Sequence, residues 1–105
     1  MQAQNAIFRA LADPSRRAIF ERLTEGELGV KELTACFSIS QPAVSQHLAA
    51  LGEADLVAAR REGRRTFYRA APEGLGPLVD WVTQYRAFWT ERVDALQALL
   101  KEMEQ

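Results

Sequence analysis

The sequence has very few of the residues on which redox and metal sites depend. Among its 105 residues there are one cysteine and one histidine. One thiol excludes an internal disulfide, and one thiol with one imidazole cannot supply the three or four ligands of a soft-metal site within a chain. We therefore predict no metal site and no cofactor. Cys36 is expected to be a small buried side chain, with an oxidation switch as the alternative.

Long hydrophobic runs are also missing. The longest are Leu48–Leu51 and Leu56–Ala59, far short of the roughly 18 residues that span a bilayer. The segment Met1–Asn5 has neither the basic patch nor the apolar core of a secretion signal. We therefore expect a cytoplasmic protein without membrane contact. Hydrophobic residues are 48% and charged residues 26% of the chain, which is ordinary for a globular protein, so residues 1–105 are expected to form one domain.

Charge is balanced in total but unevenly placed. Thirteen basic and 14 acidic residues give a net charge of −1. The ten residues from Arg60 to Arg69, however, include five arginines and a single acidic residue, Glu62. An anionic partner is therefore expected to bind the middle of the chain.

Hydrophobic spacing and chain breakers predict five helices and one hairpin. Asp13 suits the cap of the second helix and Pro14 its first position, while Ser40 can cap the fourth. The predicted helices are 5–12, 14–23, 31–37, 41–54 and 78–104, with a brief extended piece at 28–30 and hairpin strands at 56–61 and 66–70.

The fourth helix has an unusual outward face. Val44, Leu48 and Leu51 recur at spacings that bury one side of it. The opposite side has Gln41, Ser45 and Gln46, with His47 at its flank, whereas an ordinary solvent face is rich in lysine and glutamate. Uncharged hydrogen-bonding side chains of this kind can read the edges of bases.

The arrangement of these elements predicts a mainly α-helical protein with a small β-hairpin wing. Two helices joined by a tight turn and followed by an arginine-tipped hairpin are typical of a winged helix-turn-helix. The helix would read base edges, and the wing arginines would bind phosphates. The alternative is a protein-interaction module whose wing binds an acidic partner, because a fold alone does not dictate function.

The last helix is more apolar than one small domain can cover. Leu78, Val82, Tyr85, Trp89 and Leu96 follow a heptad-like spacing, which predicts a partner helix and hence a dimer. The aromatic residues on this helix leave a pocket for a small hydrophobic ligand as an open alternative.

Catalysis is not expected. Ser45 and His47 are two residues apart and therefore face different sides of their helix. No third group orients them, so we predict that the protein is not an enzyme.

Two segments of the chain resemble the ArsR/SmtB-type bacterial repressors. They are Phe8–Arg17 and the stretch from Ser40 to Leu51, continued by 56–57 and 61–68. The resemblance implies a homodimeric, cytoplasmic transcriptional repressor that binds double-stranded DNA at a pseudo-palindromic operator, with the fourth helix in the DNA and the first and last helices at the dimer interface. With the patterns above, it predicts DNA-binding residues Ser40, Gln41, Ala43, Ser45, Gln46, His47, Arg61, Arg64 and Arg65, and dimer-interface residues Ile7, Leu78, Val82, Tyr85, Trp89 and Leu96.

The chain departs from the metal-sensing members of that family. Those members have a cysteine pair early in the third helix, where this sequence reads Val30–Leu33. Another sensor type has aspartate and histidine ligands on the last helix, and here Asp80 and Glu91 have no histidine beside them. We therefore expect a repressor that does not respond to metals, with the effector left open.

Overall fold

A computed structural model describes residues 2–104, which form six α-helices and a small antiparallel sheet. The predicted fold class, mainly helical with a β wing, is confirmed. The helices are α1 (Gln2–Ala12), α2 (Pro14–Leu23), α3 (Val30–Ala35), α4 (Gln41–Glu53), α5 (Gly76–Thr83) and α6 (Arg86–Met103). The strands are β1 (Leu28–Gly29), β2 (Val57–Glu62) and β3 (Arg65–Ala70), and a 3₁₀ turn covers Pro72–Leu75.

Two side chains cap helices as predicted. The Asp13 carboxylate accepts a hydrogen bond from the backbone N–H of Arg16 at 3.0 Å, with Pro14 opening α2. The Ser40 hydroxyl accepts one from the backbone N–H of Ala43 at 3.2 Å and opens α4. Each oxygen satisfies a donor that the first helical turn leaves without a partner.

The sheet has the order β1-β3-β2. The brief extended piece predicted after α2 is confirmed as the edge strand β1, in which Gly29 lies opposite Phe67. Strands β2 and β3 form the hairpin, and Gly63 at its turn has φ +63°. The second strand begins one residue earlier than predicted, so the turn is tighter.

The core lies between the first four helices and the inner side of the sheet. The α4 residues predicted to face inward are buried there. Burial of this one face fixes which side of α4 points outward. The largest fully buried side chains are Ile7, Ile19, Leu33, Val44, Leu48, Leu51 and Leu56.

The prediction of one long final helix from residue 78 to 104 is wrong. The structure divides this segment into α5 and α6, with a break at Gln84 and Tyr85. Tyr85 has φ −109° and ψ 18°, outside the helical range, and its ring lies 5.1 Å from that of Trp81. Trp81 in turn packs edge-on against Phe8 of α1 at 5.4 Å. Aromatic packing on α1 therefore accompanies the break.

Two further predictions need correction. Ile7, predicted at the dimer interface, is 1% exposed because it packs into the core of its own chain. Its neighbour Phe8 is the α1 residue with a large exposed apolar side chain, at 43%. Cys36, expected to be buried, is exposed. It follows the end of α3, and its thiol donates a 3.4 Å hydrogen bond to the backbone carbonyl of Glu32.

None of the helices within residues 2–104 is long and apolar enough to cross a membrane.

Candidate nucleic-acid interface

Helix α4 presents its polar face to solvent. Gln41, Ser45 and Gln46 are all exposed, and Ser40 at the cap is exposed beside them. Ala43 is half-buried at the same end of the helix. The only charged residue of α4 is Glu53, its last. The outer face near the helix N-terminus therefore carries amide and hydroxyl groups without long charged side chains.

His47 differs from the other α4 residues predicted to bind DNA. It is half-buried, and its Nδ1 atom is buried with no hydrogen-bond partner within the described part of the chain. It lies close enough to Asp13 for its charged form to help lower the pKa of that carboxyl, after the larger effect of the Arg16 backbone N–H. The structure thus directs one ring nitrogen of His47 into the protein rather than toward the groove.

Near the tip of the wing are two arginines without an ion pair among the described residues. Arg61 and Arg64 are exposed, and within residues 2–104 neither takes part in an ion pair. A guanidinium in this state has all its donors available to phosphate oxygens.

The other arginines of the basic segment are paired. Arg65 donates to the carboxylate of Glu32. Arg60 is bidentate to Glu27, with Nη2 2.7 Å from Oε1 and Nε 2.9 Å from Oε2. A weaker pair joins Arg69 to Glu73 at 3.8 Å. Much of the basic charge seen in the sequence is therefore neutralised locally.

The pKa shifts follow these hydrogen bonds. The Arg60 guanidinium lowers the pKa of Glu27, and the Arg65 guanidinium lowers the pKa of Glu32. Hydrogen bonds to Glu27 and Glu62 raise the pKa of Arg60 above its ordinary value. Both carboxylates remain charged at neutral pH, and both arginines are partly committed to them.

A groove separates the wing from the helix-turn-helix. Gln41 of α4 lines it together with Arg64 of the wing and the paired residues Arg65 and Glu32. Lys31, at the start of α3, lines it as well. Lys31, Glu27 and Glu32 were not predicted from the sequence, because charged residues near helix starts and strand ends look like ordinary solvent-exposed positions.

The last two helices expose a continuous apolar surface. Each of the dimer-interface residues predicted between Val82 and Leu96 is exposed, with Trp89 at 49%, while Leu78 is half-buried. The exposed large apolar side chains of this region are Val79, Val82, Tyr85, Phe88, Trp89, Val93, Leu96, Leu99, Leu100 and Met103.

Within residues 2–104, no three histidine, cysteine, aspartate or glutamate side chains are grouped so that they could hold an ion.

Comparison with known proteins identifies the family. Residues 13–59 match the bacterial regulatory protein, arsR family. The HTH-type transcriptional regulator Rv2034 of Mycobacterium tuberculosis is 44% identical over 89% of this chain and 84% of its own. The chain belongs to the ArsR family. It is accordingly a DNA-binding transcriptional regulator with a winged helix-turn-helix, and not an enzyme.

Other ArsR-family proteins agree in sequence and in structure. The transcriptional repressor SdpR of Bacillus subtilis is 30% identical over 77% of this chain and 90% of its own. An ArsR-like transcriptional regulator from Rhodococcus sp. RHA1 has a TM-score of 0.74 at 26% identity, covering 93% of this chain and 92% of its own. The structural likeness therefore extends beyond residues 13–59 of this chain.

Proposed function

We propose that this ArsR-family protein is a homodimeric repressor that inserts α4 into the major groove of a pseudo-palindromic operator. One observation carries the proposal: Gln41 from the uncharged outer face of α4 and Arg64, a wing arginine without an ion pair among the described residues, line the same groove. It is supported by the relative SdpR, which is named a transcriptional repressor.

The polar side chains of α4 and the arginines of the wing can bind different parts of DNA. Glutamine and serine side chains can donate to and accept from base edges, which differ among the four base pairs in the major groove. Arginine binds phosphate, which is present at every sequence. We therefore assign base contacts to α4 and backbone contacts to the wing. The proposed interface comprises the cap residue Ser40, then Gln41, Ala43, Ser45 and Gln46 of α4, and Arg61 and Arg64 of the wing.

The surface area of the chain supports a dimer. Its accessible surface is 7575 Å², whereas a compact monomer of 11.8 kDa should expose about 5,900 Å². Its radius of gyration is 17.8 Å, against about 13 Å for a compact domain of this length. The excess area exceeds the roughly 800 Å² that each partner buries in a standard interface. A second copy that packs on α5, α6 and Phe8 would cover it.

A symmetric dimer determines the form of the operator. Two copies of α4 related by a two-fold axis would read two half-sites about 34 Å apart, one DNA turn, so the operator is expected to be pseudo-palindromic. Occupancy of such a site would block transcription. We place this activity in the cytoplasm, where bacterial DNA is found.

We propose that the signal that releases the repressor is not a metal. With one histidine and one cysteine in the sequence, a chain can offer a thiophilic ion at most two soft ligands. Added zinc or arsenite is expected to leave operator affinity unchanged. A tenfold or larger loss of affinity with either ion would contradict this part of the proposal.

The deciding experiment is fluorescence anisotropy with DNA from upstream of the gene that encodes the protein. We expect saturable binding that resists scrambled competitor and weakens steeply as salt rises. Binding that scrambled DNA displaces equally would show that this duplex contains no operator. No binding even at low salt would contradict the DNA-binding assignment and favour an acidic protein as the partner.

A further inference from the structure

One face of the wing contains a cluster that the DNA-binding role of the family does not explain. Arg60 lies opposite Phe67 across the hairpin, and Arg65 is two residues before Phe67, so all three point to the same face of the sheet. The two guanidinium carbons lie 4.8 and 4.7 Å from the centroid of the half-buried Phe67 ring. Both guanidinium groups are thus within cation–π distance of the Phe67 ring.

Both arginines of this stack are held by acids from outside the hairpin. Arg60 pairs with Glu27, which directly precedes β1, and Arg65 pairs with Glu32 in the first turn of α3. We call these four charged residues and Phe67 the wing latch. It joins the hairpin to the first helix of the helix-turn-helix.

Gly29 leaves the space that the latch occupies. A Cβ atom at this position would lie 2.7 Å from Oε2 of Glu32 and 2.8 Å from Nη2 of Arg65. Any larger residue would therefore displace this ion pair. Gly29 is buried in β1, opposite Phe67, so the pair lies directly over the junction of the edge strand with the hairpin.

The hairpin needs such support because most of its length has one neighbour only. Strand β1 pairs with Tyr68 and Phe67, while residues 61–66 continue past the end of β1 as a two-stranded ribbon. An isolated two-stranded ribbon is marginally stable in water. The latch supplies charged and aromatic contacts at the point where backbone pairing with β1 ends.

We propose that Arg65 is a positioning residue, held by Glu32 to fix the wing relative to α4, and that Arg64 is the arginine that binds phosphate. This inference rests on the proposed function. The guanidinium of Arg65 donates to Glu32 and lies over the ring of Phe67, whereas Arg64 lies at the turn with no acidic partner among the described residues. Adjacent arginines of the wing therefore have different roles.

The salt dependence of DNA binding separates the two roles. Each phosphate contact contributes about 0.9 to the slope of log affinity against log salt. We expect Arg64→Gln to reduce the slope by about 1.8 in a dimer with two wings. Arg65→Gln is expected to leave the slope unchanged. It is expected to raise the Kd for the operator about two- to fivefold for each of the two wings of the dimer. A slope reduced equally by both variants would overturn the inference, as would unchanged operator affinity in Arg65→Gln.

Two further variants test the position of the wing directly. Gly29→Ala displaces the ion pair without changing any charge, and we expect it to weaken operator binding as Arg65→Gln does. The reversed pair, Glu32→Arg with Arg65→Glu, is expected to restore affinity to within about twofold of wild type. A phosphate-binding Arg65 could not be replaced by glutamate, so failure of this rescue in a protein with a wild-type melting temperature would overturn the inference.

The operator preference of the wild-type protein and the salt slope of Arg65→Gln together distinguish this inference from the proposed function. A wild-type protein that prefers no operator over scrambled DNA would overturn the proposed function and the inference with it. A wild-type protein that prefers its operator, combined with a reduced slope in Arg65→Gln, would overturn the inference alone.

Discussion

Asp13 and the two arginines of α2 that follow it fix the junction between α1 and α2. While Asp13 caps α2, Arg17 donates to the backbone carbonyl of Leu11 at 2.7 Å and Arg16 to that of Arg9 at 3.4 Å. The last carbonyls of α1 and the first N–H groups of α2 thus receive partners from the same short segment. This junction fixes the orientation of α1. It thereby sets the position of Phe8, which lies at the edge of the exposed apolar surface.

The cap makes stability depend on pH in the acid range. The backbone N–H of Arg16 lowers the pKa of Asp13 below its ordinary value of 3.8. The folded pKa is therefore below the unfolded one, so the stabilisation is present above pH 3.8 and is lost as pH falls through the folded value. Asp13→Asn keeps a capping oxygen without the charge. We expect its melting temperature to fall less than that of wild type on acidification, measured by circular dichroism. Identical acid profiles would contradict this prediction.

Gly74 allows the closest backbone approach among the glycines described. A Cβ atom there would lie 1.8 Å from the carbonyl oxygen of Asp55. Because that atom belongs to backbone, Gly74→Ala should shift the chain and reduce the free energy of unfolding by about 1–3 kcal/mol. The measurement is a denaturant unfolding curve.

The matched control for that variant is Gly52→Ala. A Cβ atom at Gly52 would meet nothing within 4 Å, and the residue lies in α4. A gain of about 0.5–1 kcal/mol is expected from the higher helix propensity of alanine. Equal effects of the two substitutions would show that Gly74 is not constrained by the close approach to Asp55.

At the scale of secondary-structure elements, α4 and the wing are expected to contribute different components of DNA binding. Gln46→Ala removes a base-reading group, so we expect it to reduce the preference for operator over scrambled DNA by about 1–3 kcal/mol. Arg64→Ala should weaken binding to both duplexes to a similar degree. Competition anisotropy with both duplexes measures the two effects. Docking of α4 in the groove would be wrong if neither substitution changed operator affinity.

The division between α5 and α6 shows what local patterns leave undetermined. No glycine or proline occurs from Leu78 to the end of the chain, so nothing in that segment marks a helix end. The break at Tyr85 instead accompanies ring packing on Trp81, which itself packs on Phe8, 73 positions earlier in the sequence. A contact so distant in sequence is invisible to periodicity.

At the scale of the whole molecule, the exposed apolar face of α6 is the surface that we expect a second copy of the chain to cover. We expect Trp89→Arg to place a charge in the dimer interface and to leave monomers. Ala98→Arg is the matched control, since nine residues of helix turn it to the side opposite Trp89, and it should remain a dimer. Sedimentation velocity measures both, and a dimeric Trp89→Arg variant would contradict the proposed interface.

The sequence by itself determined the order of the elements as far as the hairpin, the cap residues and the buried face of α4. These features depend on periodicity and on side chains that act within a few residues of their own position. The same local information predicted a wing tipped with arginines and the family to which the chain belongs. Both are confirmed, because turn chemistry and helical spacing are properties of contiguous sequence.

Only the tertiary structure decided which arginines are available to bind DNA and which apolar residues are buried. Arg65 and Arg64 are adjacent in the sequence, yet α3 brings Glu32 to Arg65, and Arg64 has no acidic partner within residues 2–104. Ile7 and Phe8 are adjacent, yet one packs in the core and the other is exposed. Ion pairing and burial are set by neighbours in space, and those neighbours come from elements that are distant in the chain.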